Sequence, residues 1–384
     1  MSTFKVSTLP APHAEPEVRV QEKPVTPPDG LLLRVEYSGV CATDLHIAEG
    51  HIPGYSYPST LGHEVCGIVE EIGPEFGADV TGRPVKAGDR VAVMPATPCG
   101  RCTACRHGGP YPDCADWDVI GFSNPERRRA GGGWGQYVLC NGRARVFVSD
   151  APPENVVLAE PAATAAEGLL RAGFRFGDSV LVQGTGTVGL LAIAIAVRGG
   201  ASTVAAIGGP ARRLAIAREL GASTVVNIGE LPDPEARRDA VLAGSPQGQG
   251  YHIVVECAGV PSAVPEGFGY LRRGGCFVEL GHFSDVGPAE INPYRHILSR
   301  DARMVSSSGY TPESFGRALY VTERLGDYAG TLITHRLPLE RAGDALRALK
   351  PENSWQLDGV EVGKLVIDPW ARAESPSAGG PAND

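Results

Sequence analysis

The chain has 384 residues, 42% of them hydrophobic and 21% charged, with a formal net charge of −9. That length exceeds one ordinary hydrophobic core and predicts two domains. The negative balance would repel a phosphate backbone, which argues against a nucleic-acid partner. No apolar run approaches the ~20 residues of a membrane span, so no membrane partner is expected; LLAIAIAV (190–197) is far shorter.

The first 160 residues read as β-rich. LLLRVEYSGV (31–40), EVCGIVEEIG (64–73) and DRVAVMP (89–95) are short apolar or alternating runs broken by Gly, Pro and Asp, a pattern that predicts interleaved strands in a distorted barrel. Next comes CGRCTACRHGGPYPDC, with Cys99, Cys102, Cys105 and Cys114. Four thiolates at this spacing can wrap one Zn²⁺ tetrahedrally and leave no open position, so this site is expected to be structural. Disulfides are the competing reading. The N-terminus has no basic start followed by an apolar run, and nine cysteines is an odd number. Both features predict reduced thiols in a cytoplasm.

The character changes near residue 160. AEPAATAAEGLLRAG (159–173) predicts a helix. It is followed by an apolar strand (179–183), a Gly-rich turn, a small-residue helix (187–198) and a second strand (203–207). PARRLAIARELGA continues as helix, and STVVNI, YHIVVECAG, GGCFVELG and ARMVSSSG supply further buried-type strands. Strand and helix alternating this way predict a doubly wound parallel sheet, hence an α/β class. From about 311 onward, THRLPLERAGDALRALK and GKLVIDP are expected to return to the first domain. The tail 371–384 has the small, polar, Pro- and Gly-rich composition of a disordered segment.

Within the turn QGTGTVG, Gly184, Gly186 and Gly189 spell G-x-G-x-x-G between a strand and a helix that opens at Thr187 and Val188. That context turns a weak string into a dinucleotide-binding signal, with the helix N-terminus facing the phosphates. An acidic residue at the end of the next strand would select NAD. Gly208 stands there instead, with Arg212 and Arg213 just beyond. A lost carboxylate and a gained guanidinium favour a 2′-phosphate and hence NADP, although an uncharged strand end also tolerates NAD.

A second set of metal-type residues lies apart from the four cysteines. GVCATDLH (39–46) and LGHEVCG (61–67) carry Cys41, His46, His63 and Glu64, and LAEPAATA (158–165) adds Glu160. A thiolate, an imidazole and a carboxylate suit a Zn²⁺ that keeps one position open for chemistry. Taken singly, each would pass for core or for surface.

Together these motifs resemble the zinc-dependent medium-chain alcohol and polyol dehydrogenases, over nearly the whole chain and in order. GVCATDLH is similar to the family's G-[IV]-C-[GA]-[ST]-D-x-H, LGHE to its GHE, GDRV to its G-D-R-V, EPAA to its E-P-x-A, and the cysteine loop to its structural zinc lobe. The gap from Cys105 to Cys114 is one residue longer than the usual spacing. The resemblance implies a β-rich GroES-like catalytic domain (1–162 and 311–384) and a Rossmann dinucleotide-binding domain (163–310). It implies two Zn²⁺ per chain and NADP or NAD as coenzyme. The catalytic zinc would sit on Cys41, His63 and Glu160, as in the sorbitol and threonine dehydrogenase branch, with Glu64 beside it and able to bind it directly.

The resemblance further makes Thr43 a relay hydroxyl and His46 a relay imidazole near the ribose, with Asp44 orienting a ligand imidazole or capping a turn. His51 reads as a loop residue. Gly281, His282 and Phe283 fall where relatives run backbone past the nicotinamide, and Lys364 where they place a basic pyrophosphate contact. Trp117, Ile120 and Phe283 are expected to face a small-molecule alcohol or ketone. A cyclic secondary alcohol, polyol or cyclitol is the first expectation. A homodimer or homotetramer would pair the sheets through residues 303–309. Two other readings compete: a zinc-free quinone-reductase-like enzyme of the same fold, and a non-catalytic dinucleotide-binding scaffold.

Overall fold

In the computed structural model the described residues are 2–52, 54–121, 131–350, 353 and 355–372. Most of the tail expected to be disordered, from 373 onward, lies outside them.

The N-terminal part builds a seven-stranded sheet. Its order is Arg145–Val148, Arg90–Met94, Glu64–Ile72, Leu31–Val40, Lys364–Ile367 and Ile333–Leu337, with Tyr137–Cys140 also paired to Leu31–Val40. The last two strands run parallel to each other, and the other pairs are antiparallel. The chain therefore returns after residue 330 to close the barrel-like sheet on which it began. Leu31, Leu33, Val65, Val91, Val93 and Val138 point into a shared apolar interior. A separate ribbon, Glu17–Glu22 with Thr3–Leu9, flanks this sheet.

The second sheet is wholly parallel. Its order is Thr224–Asn227, Thr203–Gly208, Ser179–Gln183, Tyr251–Glu256, Leu271–Glu279 and Arg303–Ser306. Val180, Leu181, Val182, Val254, Val255, Phe277 and Val278 are completely buried, as a sheet covered by helices on both faces requires. In chain order the strands read 3-2-1-4-5-6, so the winding reverses between Ser179–Gln183 and Tyr251–Glu256. The crevice beyond the carboxyl ends of those two strands is where such sheets bind ligands.

The helix Ala159–Ala172 joins the two sheets. It packs against Glu64–Ile72 and Arg90–Met94 on one side, and against Leu271–Glu279 and Arg303–Ser306 on the other. Its alanines (Ala159, Ala162, Ala163, Ala165, Ala166) are buried and let both sheets approach closely. Gly173 ends it in the left-handed conformation (φ 76°). The helix's second residue is Glu160, which places that carboxylate at the seam between the sheets.

Candidate functional site

The strand Leu31–Val40 ends at Cys41, which caps the short helix Ala42–Ala48. Asp44 fills two roles. Its Oδ2 accepts from Cys41 N at 2.9 Å, and its Oδ1 accepts from Gly62 N at 3.3 Å and lies 3.5 Å from His63 Nδ1. Asp44 thus caps the turn at Cys41 and lies within ion-pair distance of the His63 ring. A metal on the other ring nitrogen of His63 would leave Nδ1 facing Asp44, the usual arrangement around a ligand histidine.

Ligand atoms of Cys41, His63 and Glu64 lie within 4.8 Å of one another. Burial alone would lower the His63 pKa, but Asp44, Cys41 and Glu160 outweigh it and hold the imidazole well above its ordinary value. Glu160 feels the charges of His63, Glu64 and Lys364, while its Oε1 accepts from the Tyr310 hydroxyl at 2.7 Å. Burial pushes the Glu160 carboxyl up to about 7. So much anionic and soft donor capacity gathered out of solvent fits a divalent cation.

Lys364 has a different partner from the one expected. Its side chain is 4% exposed, and its ammonium lies 2.6 Å from Glu64 Oε1 and 3.0 Å from the Val40 carbonyl. Burial would lower its pKa, but Glu64, with Cys41 and Glu160, raises it. The charge offered to a pyrophosphate is thus spent on Glu64. Gly39 makes room for the pair: a Cβ there would meet Glu64 Oε2 at 1.8 Å and Lys364 Cε at 2.9 Å.

The four-cysteine loop closes on itself. The Sγ atoms of Cys99, Cys102, Cys105 and Cys114 lie within 4.8 Å of one another, with Cys102–Cys105 at 3.5 Å and Cys99–Cys105 at 4.0 Å. A tetrahedron with Zn–S bonds of ~2.3 Å has edges of ~3.8 Å, so the cluster matches zinc. Cys114 Sγ accepts from Cys99 N and Asp116 N. A 3₁₀ turn at Tyr111–Asp113 takes up the longer spacing and returns Cys114 to the set.

At the coenzyme crevice, Gly184 has φ +89°, and its backbone lies against Cys257 and Ala258. A Cβ on Gly189 would meet the Gly184 carbonyl at 1.9 Å, so helix and strand touch there. Gly186 faces open space at the N-cap of Thr187–Arg198, with Val188 in the helix's first turn. Gly208 ends its strand with no carboxylate, and Thr185 occupies the neighbouring space: Thr185 Oγ1 donates to Gly209 O at 3.0 Å and would lie 2.8 Å from a Cβ on Gly208.

The two arginines differ. Arg213 is committed elsewhere, to Glu361 Oε1 at 3.1 Å and to the Val362 carbonyl, at the end of the hairpin Gln356–Leu357 and Val360–Glu361. Arg212 is exposed, with no hydrogen-bond or ion-pair partner among the described residues.

A pair of carboxylates at the carboxyl ends of adjacent strands carried no motif. Glu256 is fully buried, and its Oε1 accepts from Ala258 N and Gly259 N. Glu279 Oε1 accepts from Gly281 N and His282 N, and lies 2.9 Å from His282 Nδ1. Burial, then the Glu279 charge, pushes Glu256 up to about 7. These carboxylates hold the turns that follow their two adjacent strands. Gly281 is glycine for packing as well: a Cβ there would meet Glu256 Oε2 at 2.2 Å and Gly259 N at 2.4 Å. The only advance signal was an acidic residue closing each apolar strand, YHIVVE and CFVE.

Beyond His282 the loop crosses to the first sheet's side. The Phe283 ring stacks on His46 with centroids 6.3 Å apart, and Ser284 Oγ lies 3.5 Å from His46 Nε2. Thr43 is buried, with its hydroxyl 3.7 Å from Cys41 Sγ. Burial, then His51, lowers the His46 pKa, with Glu49 opposing.

The expected substrate wall is corrected at one position. Ile120 is completely buried in the barrel interior with Val65 and Val93, so it packs rather than faces a substrate. Trp117 packs edge-on to Tyr111, which in turn meets Tyr310 edge-on. Tyr310, absent from the sequence reading, ties this aromatic group to Glu160.

A mixed S, N and O donor set in a chain that also carries a dinucleotide-binding turn and a separate thiolate cluster defines a zinc-binding nicotinamide-dependent oxidoreductase. The chain matches the alcohol dehydrogenase GroES-like domain over residues 27–150 and the zinc-binding dehydrogenase domain over 187–323, and it belongs to the zinc-dependent medium-chain alcohol and polyol dehydrogenase family. It is 33% identical to the 5-exo-hydroxycamphor dehydrogenase of Pseudomonas putida, covering 84% of this chain and 89% of that one. It is also 33% identical to the L-galactonate-5-dehydrogenase of Escherichia coli K12, covering 88% and 93%. An alcohol dehydrogenase of Thermotoga maritima superposes with a TM-score of 0.87 at 25% identity, over 96% of this chain and all of that one. A zinc-binding dehydrogenase of Sinorhizobium meliloti 1021 bound to NADP does so with 0.80 at 29% identity, over the same shares. No helix among the described residues is long and apolar enough to cross a membrane.

Proposed function

We propose that this chain oxidises a cyclic secondary alcohol or polyol, or reduces the matching ketone, with NADP and two zinc ions. The observation that carries the reading is the contact of His46 with Ser284 and Phe283. It brings His46, on the metal-side helix, against the loop after Glu279, which supports reading His46 as a relay residue. Similarity to enzymes of hydroxycamphor and L-galactonate supports the substrate class, and the aromatic group Tyr111, Trp117 and Tyr310 suits a ring.

In this reading Cys41, His63 and a carboxylate from Glu160 hold the catalytic zinc, and Glu64 stays paired with Lys364. The closed cysteine set holds the second. When bound, the zinc would supply Lewis acidity toward the substrate oxygen and the nicotinamide would supply a hydride acceptor or donor. Thr43 accepts the hydroxyl proton of the alcohol and passes it on, and His46 receives it as a neutral imidazole. Asp44 keeps the His63 ring in place. Residues 1–162 and 311–384 form the catalytic domain and 163–310 the coenzyme domain. The protein works in the cytoplasm as a homodimer or homotetramer joined through the edge strand Arg303–Ser306, where Met304 is half exposed.

Cyclic secondary alcohols, polyols and their ketones, tested with NADP and NAD by absorbance of the reduced nicotinamide, check this function. Turnover of a cyclic alcohol that is lost on chelation and restored by Zn²⁺ is expected. Quinone reduction that persists without metal would favour the zinc-free reading, and coenzyme binding with no turnover would favour the scaffold.

A further inference from the structure

We propose that His51 and Glu49 form the outer end of the proton path, carrying to bulk water the proton that His46 receives. The inference rests on the relay reading above and extends it to residues that carry no motif.

An imidazole that takes a proton on one nitrogen completes a transfer by giving one up from the other. His46 Nε2 faces Ser284 Oγ, while its Nδ1 is buried without a hydrogen-bond partner among the described residues. The proton therefore needs an outlet, and a second imidazole lies beside this one. The rings of His46 and His51 have centroids 5.9 Å apart. A nitrogen of each and a Glu49 carboxylate oxygen fall within 4.8 Å of one another.

The arrangement is fixed by backbone and charge. His51 N donates to the His46 carbonyl at 2.9 Å, and Gly50 turns the chain between them with φ +71°. Glu49 uses both oxygens: Lys350 Nζ lies 3.1 Å from Oε1, and His51 Nδ1 lies 3.6 Å from Oε2. The His51 side chain is 56% exposed, so it meets solvent. Among the described residues the charged groups facing His46 are His51 and Glu49 on its own segment and, through Glu49, Lys350 from the C-terminal part. The coenzyme side offers the neutral Ser284 and Phe283. A neutral His51 can take the proton, and the Glu49 carboxylate attracts it outward, which biases transfer toward solvent.

The bookkeeping closes. Oxidation of one alcohol releases one hydride to the nicotinamide and one proton from the hydroxyl. That proton moves through Thr43 to His46, then to His51, and ends on water or buffer base.

The test uses zinc-loaded enzyme and its His51→Gln, Glu49→Gln and His46→Gln variants, each checked for unchanged zinc content and circular dichroism. Alcohol oxidation is followed across pH and across imidazole-buffer concentration. His51→Gln should slow turnover several-fold in dilute buffer, short of the ~10²-fold expected for a group at the reacting atoms. It should recover with added imidazole, leave both KM values near native, and move the acid limb upward because the charge opposing His46 protonation is gone. Glu49→Gln should move that limb downward. If His46→Gln loses the limb while His51→Gln keeps native rate, limb and buffer independence, the exit is overturned and the relay stands. If neither variant changes anything, the relay fails and the exit with it.

Discussion

Lys364 and Glu64 form a buried ion pair directly beneath Cys41 and His63, with the ammonium 2.6 Å from Oε1 and 2.5 Å from Oε2. Removing one partner of such a pair leaves an uncompensated charge out of water, at a cost of about 3–5 kcal/mol. Lys364→Met should therefore destabilise the protein by roughly that amount in urea unfolding, and Glu64→Gln in the same chain should recover part of it. Equal stability of Lys364→Met and native protein would show that the pair is not coupled.

The two metal sets should separate by mutation. Cys102→Ser is expected to remove one zinc per chain and lower the unfolding temperature, because four thiolates tie the 99–114 loop together. Cys41→Ser or His63→Ala should remove the other zinc and abolish turnover while coenzyme still binds, since the Gly-rich turn belongs to the other sheet. Metal analysis by mass spectrometry, with coenzyme titration followed by fluorescence, reads both.

The pH dependence follows from His46. Burial and His51 hold its pKa below the ordinary 6.5. The neutral, proton-accepting form then persists to lower pH, and the rate of alcohol oxidation should fall only on acidification below 6.5. In His46→Gln that limb should vanish. Thr43→Ala should lower kcat without moving the limb, because Thr43 does not titrate in this range. A native limb centred well above 6.5 would contradict the assignment.

In the proposed reading coenzyme choice would rest on Arg212, since Arg213 is held by Glu361 and Val362. A charge-assisted hydrogen bond to a 2′-phosphate is worth roughly 1.5–3 kcal/mol, or about ten- to a hundredfold in affinity. Arg212→Ala should weaken NADP by that factor and spare NAD, as judged by kcat/KM for each. Gly208→Asp should weaken both coenzymes, because its Cβ would press on Thr185 in the phosphate turn.

What was legible in the sequence was local. The Gly-rich turn lies between its own strand and helix, and the four cysteines span 16 residues, so spacing alone declares them. What was not legible depends on the fold bringing distant residues together. Lys364 is 300 residues from Glu64, and Tyr310 is 150 from Glu160. Ile120 was misplaced because an apolar loop residue looks the same whether it faces a ligand or fills the barrel. The helix Ala263–Tyr270 was hidden by Pro265, Gly267 and Gly269. Gly267 is there because a Cβ would meet Gln183 Oε1 at 2.2 Å and Phe277 at 2.4 Å.

The central claim is that zinc occupies both donor sets in an enzyme that turns over alcohol. Anomalous scattering at the zinc edge, from crystals of protein whose activity has been measured, tests it most directly. Two peaks per chain are expected, one among Cys99, Cys102, Cys105 and Cys114 and one at Cys41 and His63. An active protein with no peak at Cys41 and His63 would contradict it.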